Sequence, residues 1–100
     1  MKRGAVMDTE IKINLALVTA KVPLCALADV ILCWPGGDLT IRRCAVFEKR
    51  GEPAWATLPR IPVEKNGKKT YLPLLDLSRD LKLRVLEAVL AEYERKCDAL

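Results

Sequence analysis

Three lysines, Lys65, Lys68 and Lys69, flank an Asn-Gly pair at positions 66 and 67, with Arg60 a few residues before them. Trp55 and Tyr71 lie on the runs to either side. Ammonium and guanidinium groups neutralise phosphates and release counterions, and aromatic rings offer stacking surfaces for bases, so this grouping suits nucleic acid. Arg42 and Arg43 extend the same basic region. A second reading stands beside it: hairpin tips are exposed, and lysine keeps strand edges soluble.

Other chemistry is scarce. The chain has no histidine, so Ser-His-Asp and Cys-His arrangements are absent and no catalytic role is expected. Cys25, Cys33, Cys44 and Cys97 contain no CxxC spacing, which argues for free thiols in a reducing compartment and against a metal site. Glu87, Glu94 and Asp98 form an acidic strip that reads as a solvated helix face. The "PGGD" segment joins two β-prone runs and opens no helix, so it is not a phosphate loop, and no cofactor is expected.

The charge is unevenly placed. Residues 42–69 hold eight basic and three acidic side chains, whereas 76–100 hold five and six. The net charge of +4 therefore has its source in the middle of the chain. One hundred residues, 51% hydrophobic, predict one domain over 1–100 with a frayed start over 1–9. The apolar stretch from Ile13 to Trp34 is broken by Lys21, Pro23 and Asp29, and "MKRGAVMDTEIK" lacks an apolar leader core. No membrane association and a cytoplasmic location are the expectation.

The elements that must hold these residues follow from periodicity. "EIKINLALV" alternates as a strand, with Ile11, Ile13, Leu15 and Leu17 on one side. "LCALADVILCW" and "LTIRRCAVFEK" form a hairpin whose tip is expected at Gly36-Gly37, pairing Trp34 with Leu39, Leu32 with Ile41 and Ala26 with Phe47. That register puts Asp29 opposite Cys44 and near Arg42, within reach of an ion pair, and a bulge at Arg42-Arg43 would turn both arginines outward. "AWATLP" reads as a short strand, and "NG" as the turn of a further hairpin whose return strand contains Pro73.

Asp76 or Ser78 caps a helix running to about Cys97. Its apolar stripe is read as Leu83, Leu86, Leu90, Tyr93 and Cys97, widened by Leu81, Val85 and Val89. Arg84 and Arg95 fall along one exposed edge with Ala88 and Ala91 between them. The expected fold is α+β: a small antiparallel sheet of four or five strands with one C-terminal helix packed on it. Open sheet edges favour pairing with a second copy, so a homodimer is expected.

Taken in order, "LTIRRCAVFEKRGEPAWATLPR", the short hairpin, "YLPL", a Ser-Arg helix start and "EAVLAEYERK" resemble the stage V sporulation protein G (SpoVG) family of bacterial regulators. The resemblance spans roughly residues 11–96, and "ATLPR" and "AVLAEY" are its most specific parts. It implies a homodimeric α+β protein that binds DNA or RNA and influences septation, sporulation or gene expression. It also implies candidate contacts on the helix: Arg79, Lys82, Arg84, Arg95 and Lys96. The chain departs from the family in its apolar "YLPLLDL" linker and in the cysteines of its first hairpin. A protein-interaction module using a sheet edge or that apolar segment is the alternative function.

Overall fold

The computed structural model describes residues 9–21 and 23–99; apart from Thr9, the expected frayed start lies outside them. Within these residues are strands β1 (Glu10–Lys21), β2 (Leu24–Trp34), β3 (Gly37–Phe47), β4 (Trp55–Thr57), β5 (Arg60–Lys65) and β6 (Lys68–Pro73), then helix α1 (Arg79–Asp98). The first four form one antiparallel sheet in chain order, and β5 and β6 form a separate two-stranded ribbon. α1 covers one face of the large sheet, so the fold is α+β as expected.

The β2–β3 turn differs from the expected one. Trp34 pairs with Gly37 and Leu32 with Leu39, leaving Pro35-Gly36 as the tip, two residues out of the expected register. Proline's fixed φ suits the first central position of a turn, which moves the tip one residue back. Because the shift is an even number, the facing of β3 near the tip is unchanged. Ile41 still points into the core, opposite Val30.

The bulge at the arginine doublet is present. Between the pairs Val30–Ile41 and Ala28–Cys44, both Arg42 and Arg43 oppose Asp29. Arg43 takes φ +69°, a left-handed conformation that costs a non-glycine residue about 1 kcal/mol. The extra residue keeps Arg43 out of the core and moves Cys44 into it, correcting the expectation that Cys44 faces Asp29. Arg42 Nη1 lies 3.1 Å from Asp29 Oδ2, the expected ion pair. A second irregularity falls at Cys25, between Leu24–Phe47 and Ala26–Val46.

Ser78 caps α1: its Oγ accepts from the Leu81 amide at 3.3 Å, and Asp80 sits in the first turn. The buried row is Val85, Val89 and Tyr93, four residues apart, packed on Val30, Val46 and Cys44. Leu83, expected in the stripe, is exposed, since two helical positions separate it from Val85 by about 200°. Val85 and Val89, both fully buried, set the centre of the stripe. Cys97, also expected in the stripe, is exposed in the last turn.

The ribbon turns on Asn66 (φ +54°) and Gly67 (φ +77°), the two left-handed central residues of a type I′ turn. It does not join the large sheet. β4 ends at Thr57 and Pro59 follows it, while Pro62 and Pro73 each remove a ladder donor from the ribbon. The base is closed by the Leu74 amide, which donates to the Pro59 carbonyl at 3.2 Å.

Candidate nucleic-acid interface

β3 and β4 pair through Ala45–Thr57, Val46–Ala56 and Phe47–Trp55. Val46 faces the helix and is fully buried, so its neighbour Phe47 projects to the face that α1 leaves open. There Phe47 stacks on Trp55, with ring centroids 5.7 Å apart and planes 23° from parallel. Arg60, at the start of β5, places its guanidinium carbon 4.2 Å from the Tyr71 ring centroid and 5.8 Å from that of Phe47. The result is a continuous ladder, Trp55–Phe47–Arg60–Tyr71. Both ends are open to solvent, Trp55 at 37% and Tyr71 at 56% exposure.

Two grooves meet at this ladder. One, of about 240 Å³, runs over the open sheet face between Leu27, Arg43, Phe47, Arg60 and Tyr71. The other, of about 430 Å³, continues past Pro59 and Arg60 to Lys82 and Leu86 of α1. An arginine stacked on a ring keeps its N–H edge available for phosphate or base edges, and ring faces accept bases of any sequence.

The expected lysines sit at the ribbon tip on both of its faces: Lys69 shares the Arg60–Tyr71 face, whereas Lys65 and Lys68 share the face of Ile61 and Leu72. Lys65 pairs with Lys68 beside the turn, and Lys69 lies opposite Glu64. Like charges facing each other across a strand pair are unfavourable alone, and a bound polyanion removes that penalty. Arg43 lines the open-face groove, while Arg42 is held by Asp29.

The helix cations are dispersed. Arg84 is half-buried and donates to the Thr9 carbonyl at 3.4 Å, which corrects the expected exposed edge shared with Arg95. Lys96 donates to the Leu15 carbonyl at 2.8 Å, so the helix reaches over edge strand β1. Arg95 makes a two-pronged contact with Glu92 at 3.0 and 2.6 Å. That hydrogen bonding holds the Glu92 carboxyl below its ordinary range and raises Arg95. Arg79 opens the helix in an exposed position, and Lys82 alone of the five lines a groove beside Arg60.

Phe47, the centre of the ladder, is expected from sequence only as the hairpin partner of Ala26, whereas Ala26 pairs with Val46 and Phe47 with Leu24. Its role depends on β3 pairing with β4, and a three-residue strand gives little periodic signal. Among the described residues, no group of three or more histidine, cysteine or acidic side chains is placed to hold a metal ion. None of the described helices is long and apolar enough to cross a membrane.

Fold and site together define a small α+β domain with one helix-covered face and one open face that carries a cation–aromatic ladder. No protein-family model, curated protein or solved structure matches the chain.

Proposed function

We propose that this chain is a small nucleic-acid-binding regulatory protein of the SpoVG type, acting as a homodimer in control of septation, sporulation or gene expression. The observation that carries the binding role is Arg60 stacked between Phe47 and Tyr71 at the base of a lysine-tipped ribbon. Phosphates follow the lysines and Arg43, and unstacked bases lie on Trp55 and Tyr71. Single strands fit this arrangement best, because duplex bases are not available for stacking on aromatic rings. The order of motifs from "LTIRRCAVFEK" to "EAVLAEYERK" supports the regulatory assignment.

The homodimer has its own support. The ribbon face opposite Arg60 and Tyr71 carries the cross-strand pair Ile61–Leu72, at 41% and 51% exposure. A lone two-stranded ribbon is marginally stable in water, so covering this face adds stability. The same apolar face favours the alternative reading, a protein-interaction module in which the lysines confer solubility.

Fluorescence anisotropy of labelled single-stranded and duplex oligonucleotides, at two salt concentrations, tests the proposal. Binding should favour single strands and weaken with salt, with a slope near −0.7 per phosphate contact. Replacing Lys65, Lys68 and Lys69 with glutamate should abolish most of that slope. Absence of binding at low salt would transfer the assignment to the interaction module.

A further inference from the structure

The two arginines of the β3 bulge have separate fates. Arg42 turns to Asp29 and pairs with it at 3.1 Å, whereas Arg43, the left-handed residue at φ +69°, lines the open-face groove. Arg60 lines the same groove from the base of the ribbon. Its guanidinium carbon lies 4.2 Å from the Tyr71 ring centroid, so stacking holds the plane and leaves the N–H edge free. The rest of the lining includes Leu24, Leu27, Phe47 and Thr57, and no carboxylate. Among the described residues, neither Arg43 nor Arg60 forms a salt bridge.

We propose that this groove is an end site for nucleic-acid strands, in which Arg43 and Arg60 together hold a terminal phosphomonoester. The inference deepens, and rests on, the nucleic-acid-binding role proposed for the open face. A phosphodiester within a strand carries one negative charge and has two unesterified oxygens. A terminal monoester carries about −1.5 to −2 and offers three acceptor oxygens. Guanidinium forks bind phosphate oxygens in pairs, so two forks on one groove match the monoester better than the diester. The volume agrees: about 240 Å³ falls below the ~300–1,000 Å³ typical of drug-sized ligand sites, which suits a last nucleotide better than a length of strand.

The backbone at Arg43 points the same way. Glycine takes a positive φ without steric cost, and arginine does not. The strain puts into the groove a guanidinium that a glycine bulge would leave out. The ribbon lysines differ in kind, since an ammonium is a point charge that attracts a strand without a fork to fit its end.

The test is fluorescence anisotropy with a short single-stranded oligonucleotide labelled on an internal base and carrying a 5′ phosphate, a 3′ phosphate or hydroxyls at both ends. A phosphate at one end, and only that end, should tighten binding about tenfold, the gain of one further charge-assisted contact. Arg43→Gly should erase that gain while the melting temperature holds or rises, because glycine suits the backbone there. Arg42→Ala removes the same charge from the neighbouring position and should keep the gain. Equal affinity for all three strands would overturn the end site while leaving the open face as a binding surface, as would a gain that survives in Arg43→Gly. An equal gain from either end, or its loss in both variants alike, would mark general charge attraction and overturn the end site too. No binding of any strand would remove the nucleic-acid role itself, and the end site with it.

Discussion

The two faces of the large sheet follow different rules although the same strands build both. Under α1 the contacts are short aliphatic side chains, Val30, Val46, Val85 and Val89, closed off from water. Its polar rim is paired: Tyr93 with Glu48, Lys96 with Leu15 and Arg84 with Thr9. On the open face Phe47 stacks on Trp55, and the Arg60 guanidinium rests on the Tyr71 and Phe47 rings. Lys96 and Arg84 on the covered side tie α1 to the backbone of Leu15 and Thr9, whereas Arg43 and Arg60 line the open-face groove. Position relative to the helix therefore separates basic residues that the sequence alone groups together.

The contrast can be broken most severely from the covered side. Val89→Asp places an unpaired carboxylate at a site with no solvent exposure and should destabilise by about 3 kcal/mol or more, read as the urea midpoint. A smaller effect comes from Cys44. Its folded value, about 11, lies above its ordinary value of 9.0, so the unfolded chain loses the proton first. Stability is full below pH 9 and falls as pH rises toward 11, by up to about 2 kcal/mol. The Tyr93 hydroxyl, raised by its hydrogen bond to Glu48 and then by burial, acts in the same direction. Cys44→Ala should flatten the decline between pH 9 and 11 in thermal melts. The smallest change belongs to the open side: Arg42→Ala breaks an ion pair whose arginine is 73% exposed and should cost less than about 1 kcal/mol.

Much of this was legible in the residues. Alternation in "EIKINLALV", the Asn-Gly turn, the Ser78 cap and the Arg42–Asp29 pair all rest on local patterns, and the structure contains each of them. The features that differ depend on alignment between distant segments. Gly36-Gly37 signalled a turn, but Pro35 decided which two residues form it. Leucines outnumber valines on α1, yet Val85 and Val89 are its fully buried positions. The lysines of the candidate site were visible as a charge cluster. Phe47 was not: the expected register pairs it with Ala26, and the extra residue at Arg42-Arg43 puts Cys44 and Val46 in the core and turns Phe47 to the open face beside Arg60.

Arg60 bears most directly on the central claim, since it joins Phe47 to Tyr71 while remaining exposed. The decisive measurement compares Arg60→Ala with the unaltered protein by anisotropy on a single-stranded oligonucleotide, with melting temperatures taken in parallel. Stacking and phosphate contacts of this kind contribute about 1–3 kcal/mol, so affinity should fall roughly tenfold while the melting temperature stays within a few degrees. Equal affinity for the two proteins at matched salt would contradict the open face as the binding surface.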